Sequence, residues 1–257
     1  MRVSVRTTAL AASIAAWTLF SQSLAEDFVD INDLMEIDEL INEDGTVKQA
    51  GSPEIADPLK GLNRAIFGFN NSVYKNVFQP FTRQYVRVVP KEARKGLWNF
   101  FNNLEYPVRL TGNLLQFRLG RASQETGKFF VNTTAGFGGF MNAAQKFEEL
   151  QPPREDIGQA FGRWGIDHGF YIVLPFAGPT SLRDLVGRFG GNYVDPISDP
   201  WSQVDDSTDR FILLTVDTVN DLPEILDMYE SITGSAIDSY TAMRDGYTQL
   251  RAAQVRE

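Results

Sequence analysis

The stretch PLKGLNRAIFGFNNSVYKNVF, residues 58–78, repeats an apolar side chain every three or four positions, and the rest of the chain has to fold around it. At helical spacing Leu59, Leu62, Ile66, Phe69, Val73 and Val77 share one side, and Phe67, Tyr74 and Phe78 widen that side. So broad an apolar face needs apolar surroundings over a wide arc. A protein core supplies them. So does a membrane interface, where aromatic rings and a basic margin are both favoured. Lys60 lies at one margin, with Arg64 and Lys75 on the polar side. Asn63 and Asn70, seven apart, fall inside the apolar arc, and a polar strip there can line a wet passage.

More helices follow. Pro90 suits a first helical turn and opens PKEARKGLWNFFNNL; Pro107 opens PVRLTGNLLQFRLG. The latter is apolar on two sides (Val108, Leu115, Leu119 and Leu110, Leu114, Phe117), which suits a helix between two apolar environments. Ser207-Thr-Asp offers an N-cap for RFILLTVDTVNDLPEIL. Tyr229, Ile232, Ala236, Tyr240, Met243, Tyr247 and Leu250 keep a three-to-four spacing that predicts one long C-terminal helix. YIVLPF, residues 171–176, is the one stretch that reads as a strand. The fold class expected is all-α.

Charge is uneven. Residues 26–57 carry eleven acids and one base, residues 58–125 carry eleven bases and three acids, and the remainder is acidic again. A basic front half suits an anionic surface. The overall net charge of −9 argues against nucleic acid as that surface. The first 25 residues read as a cleaved signal peptide: Arg2 and Arg6, an apolar run from Ala9 to Phe20, and Ser23-Leu24-Ala25 at the cut. Residues 26–57 read as an acidic, mobile leader, and residues 58–257 as one helical domain. There is no cysteine, which removes disulfides, thiolate metal sites and a lipobox cysteine for N-terminal lipidation.

VNTTAGFGGFMNAA, residues 131–144, invites a phosphate-loop reading and does not sustain it. The last glycine of G-x-G-x-x-G is missing and no G-K-[ST] follows. Gly136, Gly138 and Gly139 instead suit a hinge or tight turn needing positive φ, with Phe137, Phe140 and Met141 displayed on it. His168, the single histidine, has no G-x-S-x-G elbow to serve, and one histidine without cysteine makes no conventional zinc site. The residues call for no catalytic set, no cofactor and no metal. A lipid hydrolase using His168, or an envelope scaffold with aromatic faces, remain as other readings.

Four strings taken together resemble the MlaA/VacJ family of outer-membrane lipid-asymmetry proteins: DPLKGLNRAIFGFN (57–70), VPKEARKGLWNFFNNLEYP (89–107), FVNTTAGFGGFMNAA (130–144) and FGRWGIDHGFYIVLPFAGPTSLRD (161–184). The resemblance implies a ring-like arrangement of amphipathic helices around a pore on the periplasmic side of the outer membrane. Misplaced phospholipids would leave the outer leaflet through that pore and pass to a soluble periplasmic lipid carrier. A trimeric porin would be a further partner. On this reading Leu62, Ile66, Phe69 and Val73 would meet acyl chains, and Asn63 and Asn70 the polar side of the passage. Arg64, Lys75, Arg83 and Arg87 would face headgroups. Gly136, Gly138 and Gly139 would be pivots of a flexible hairpin, with Phe137 and Phe140 touching lipid. The family's anchoring cysteine is missing here.

Overall fold

The computed structural model describes residues 55–198, 202–204 and 206–257. The expected signal peptide and nearly all of the acidic leader lie outside the described residues. The chain divides into two compact units: residues up to Gln79 with His168–Leu182 and Leu222–Glu257, and Pro80–Asp167 with Arg183–Asp221.

The predicted first helix forms as α1 (Lys60–Val73), passes into a π-helical turn (Tyr74–Phe78) and continues as α2 (Gln79–Val88). The sequence reading stopped at Phe78. Pro80 has no N–H for the preceding turn, and the widened turn, in which Gln79 N–H reaches Tyr74 O, carries the helix past it.

The first unit holds the continuous hydrophobic core. The hairpin of β1 (Tyr171–Leu174) and β2 (Gly178–Ser181) is antiparallel, with Tyr171 opposite Ser181 and Leu174 opposite Gly178. Phe67, Tyr74, Tyr171, Val173, Leu222, Ile225, Met228, Tyr240, Met243 and Tyr247 bury their side chains together. Tyr229 packs edge-on against Tyr74, with ring centroids 4.7 Å apart. They come from α1, the hairpin, the later part of α8 (Ser207–Thr233) and α9 (Ser239–Arg256).

Those last two helices correct the sequence reading of one long C-terminal helix. The spacing is continuous but the backbone is not: Gly234 N–H bonds Glu230 O at 2.7 Å, and residues 234–238 separate the helices. A Cβ on Gly234 would come within 2.6 Å of that carbonyl oxygen, so the exit needs glycine. At the start of α8 the cap is Asp206, one residue earlier than expected, accepting from Thr208 N–H at 2.6 Å. These backbone bonds hold its carboxyl below 3.8.

The second unit contains α3 (Lys91–Leu104), α4 (Tyr106–Leu115), α5 (Leu119–Ala135), short 3₁₀ turns at Ala143–Lys146 and Glu148–Leu150, α6 (Ile157–Arg163) and α7 (Leu182–Asn192), the last entering from the first unit at Leu182. The single helix expected over residues 107–120 is two. Phe117 takes φ +59, its N–H bonds Leu114 O at 3.0 Å, and Arg118 N–H bonds Asn113 O at 2.9 Å. That pair of bonds is a Schellman stop with phenylalanine where glycine is usual. The protein is mostly helical, with one small hairpin.

Candidate functional site

Asn63 and Asn70 sit on the buried line of α1 with Phe67 and Tyr74. Asn63 donates to Tyr171 O at 3.0 Å and accepts from Val173 N–H at 2.9 Å. Asn70 repeats the arrangement, donating to Leu174 O at 2.9 Å and accepting from Phe176 N–H at 2.8 Å. Seven helical residues rise about 10.5 Å and three strand residues about 10 Å, so the spacing of the asparagines matches the spacing of their partners. The Asn63 carboxamide therefore caps the open edge of β1, and that of Asn70 holds the strand's end and the turn that follows it. This corrects the sequence reading: at 1% and 2% exposure, both are interior groups committed to backbone partners, with Asn63 also donating to Asp57 at 2.9 Å, and not a polar wall.

The apolar arc of α1 is split by that packing. Leu62 and Phe69 are exposed, although the Phe69 ring sits edge-on to Phe176 at 5.1 Å; Val73 is half-buried and Ile66 packs against the core. Among the bases, Arg64 forms an ion pair with Asp238 and lies 4.6 Å over the Tyr240 ring. Lys75, Arg83 and Arg87 are exposed.

The glycine-rich stretch ends α5. Gly138 N–H bonds Thr133 O at 2.9 Å and Gly139 N–H bonds Asn132 O at 3.0 Å, while Phe137, Gly138 and Gly139 all take positive φ. Three buried asparagines hold the turn. Asn99 donates to Phe140 O at 3.2 Å, Asn103 donates to Thr133 Oγ1 at 2.9 Å, and Asn132 accepts from Ala144 N–H at 2.8 Å. Phe140 stacks on Phe100 at 4.7 Å. Gly136, expected as a pivot, has φ −101° and is enclosed by Met141 O and Asn132 O. The turn displays Phe137 and Met141 outward from a pinned base. Sequence reasoning found the turn and missed the asparagines below it; Asn99 and Asn103, one helical turn apart, were the signal.

Polarity is distributed oppositely in the two units. Among the described residues, fourteen of the buried apolar side chains lie in the first unit and seven in the second, although more of the described residues belong to the second. Buried polar or charged side chains run the other way, seven against seventeen. Eighteen of the exposed large apolar residues also belong to the second unit, against six in the first. The second unit thus turns polar groups inward and apolar groups outward. Its interior includes Arg109 Nε on Glu125 at 3.2 Å, and Glu155 receiving Gln116, Arg118 and Arg121. Asn113 Oδ1, Glu125 Oε1 and Asn142 Oδ1 are buried with no hydrogen-bond partner in the protein. Outside it stand Phe117, Phe130, Phe137, Trp164 and Phe189. A water-soluble body has the reverse arrangement, since apolar surface in water and unpaired polar groups inside are both unfavourable. His168 is buried in the first unit. Among the described residues no cluster of three or more His, Cys, Asp or Glu could hold a metal ion, and no helix is long and apolar enough to cross a membrane.

A sequence model of the family described as "MlaA lipoprotein" matches residues 55–254. The chain belongs to the MlaA family. The Escherichia coli (strain K12) protein named "Intermembrane phospholipid transport system lipoprotein MlaA" is 31% identical over 210 residues, covering 80% of this chain and 79% of that protein. An uncharacterized protein of Rickettsia prowazekii (strain Madrid E) is 28% identical over 245 residues, covering 95% of this chain and 92% of its own length. A solved structure from work described as "Structural basis for maintenance of bacterial outer membrane lipid asymmetry" superposes with TM-score 0.64 at 27% identity, covering 78% of this chain and 99% of that one. The MlaA match begins at residue 55, where the described structure also begins. The family is described as lipoproteins, whereas these 257 residues include no cysteine.

Proposed function

We propose that this protein carries phospholipids in the maintenance of outer-membrane lipid asymmetry, taking misplaced lipid from the outer leaflet and delivering it toward the periplasm. The observation that carries the reading is the inverted second unit in a member of the MlaA family. An apolar exterior is stable against acyl chains, where each buried CH₂ contributes about 0.8 kcal/mol. A charged headgroup cannot cross hydrocarbon without polar company, and inward-facing polar side chains with unpaired oxygens supply it.

Such a passage forms and breaks no covalent bond, so the reading needs no catalytic residue. Direction comes from mass action, with a soluble periplasmic carrier taking lipid away and a trimeric porin offering a partner in the membrane. Phe137, Phe140 and Met141 on the glycine turn, and Leu62 and Phe69 on α1, are the side chains proposed to touch lipid. Exposed Lys75, Arg83 and Arg87 would meet phosphate headgroups at about 1 kcal/mol each.

The test is removal of the gene in its own host, with measurement of surface-exposed phospholipid and of the permeability barrier. Surface phospholipid should rise and fall back when the gene is restored. Unchanged surface lipid, together with purified protein that carries none, would reject the reading.

A further inference from the structure

The three non-glycine residues with positive φ among the described residues are all phenylalanines: Phe117 (φ +59), Phe137 (φ +55) and Phe176 (φ +64). A bulky L-residue there is strained, by roughly 1–2 kcal/mol. Phe176 recovers some of that cost by packing on Phe69 and the core. Phe117 does not: it is 84% exposed, so both its backbone and its ring are in unfavourable places in water.

The turn that presents Phe117 is nevertheless firmly built. The residues on either side, Gln116 and Arg118, both bond the buried carboxylate of Glu155, Gln116 at 2.6 Å. Arg121 adds a third bond to it at 2.7 Å. Gly112 lets α4 approach the Glu155 backbone so closely that a Cβ would stand 2.9 Å from it. Trp164 donates its indole N–H to Leu115 O at 3.0 Å and leaves half of its ring exposed. Leu114 and Leu119 are exposed beside the turn. Arg118 and Arg121 share the single carboxylate of Glu155, which leaves this trio with a net positive charge.

A ring held outward at a conformational cost, flanked by leucines and a hydrogen-bonded tryptophan and edged by excess positive charge, matches one environment: the interface of a bilayer with anionic headgroups. We infer that Phe117 is an insertion wedge, and that the Glu155-clamped turn with Leu119 and Trp164 anchors this chain in an anionic leaflet. The inference rests on the lipid-facing reading of the second unit and names the segment that sets its attachment.

The test uses the full processed chain and vesicles of phosphatidylcholine with or without one-quarter phosphatidylglycerol. Phe117→Gly should partition about ten-fold more weakly, the loss expected for one ring leaving the interface, while its thermal midpoint stays or rises because glycine relaxes the positive φ. Phe117→Asn, which also tolerates this backbone, should behave alike. Arg121→Gln should lose much of the preference for phosphatidylglycerol. Unchanged partitioning of both Phe117 variants would overturn the inference and give the patch to a protein partner. Equal loss of stability and binding in both would overturn it too, since the ring would then be structural. If the unsubstituted chain binds neither vesicle, the functional reading falls with it; if it binds and only the variants fail to differ, that reading stands.

Discussion

Gly138 has open space where a Cβ would sit, Gly139 would drive one to 2.8 Å from Asn103, and Gly136 would drive one to 2.1 Å from Met141 O. Alanine should therefore be graded along the turn. At Gly138 it costs about 1 kcal/mol, from backbone conformation alone. At Gly139 the clash with Asn103 adds to that, and at Gly136 the clash is with backbone that cannot yield. Thermal unfolding of the three variants checks the order, and a Gly138 variant that unfolds earliest would contradict it. The asparagines of α1 make a second case. Asn63→Ala orphans the Val173 N–H and the Tyr171 carbonyl from that bond, so about 2–4 kcal/mol of stability should be lost, readable as a shift in the urea midpoint. The seven-residue spacing of the asparagines was legible in the chain. Their partners, more than a hundred residues away, were not, because a carboxamide in an apolar arc suits a wet passage and a strand edge equally.

Element boundaries show where local pattern stops informing. The periodicity over residues 107–120 and over the C-terminal stretch continues across both breaks. What ends α4 is the Schellman pair at Phe117, a residue whose propensity gives no warning of left-handed backbone. Within α4 and α5 the buried Arg109–Glu125 pair is the sensitive joint. Glu125→Leu would leave Arg109 buried beside only Glu105 and the Asn102 carbonyl, and should cost about 3–5 kcal/mol in chemical denaturation. In the first unit, α9 is tied to α1 by Asp238 and Arg64. Hydrogen bonding from Arg64 holds the Asp238 carboxyl down from 3.8 to about 2. A depressed carboxyl contributes stability above its unfolded value and loses it as the pH falls toward the folded one. The window is therefore about pH 4 to about pH 2. Both groups are well exposed, so the contribution is small and screened by salt. Asp238→Asn should flatten that part of the acid limb at low ionic strength, as followed by urea midpoints across the window.

At the scale of the molecule, the two units should answer polar substitution in opposite ways. Ile225→Ser in the first unit introduces a hydroxyl into a packed core and should cost about 3 kcal/mol or more. Phe189→Ser and Val186→Ser on the exposed side of α7 should leave the unfolding midpoint in place while reducing aggregation on size-exclusion without detergent. The sequence by itself determined that the chain is helical, cysteine-free and rich in aromatic rings, because periodicity and composition are local properties. It also held the strings that place it in the MlaA family. Only the tertiary structure decided which apolar faces are core and which look outward, and that the second unit buries its polar side chains instead. A helix pattern records that two faces differ; which face meets protein depends on long-range contacts that no local spacing encodes.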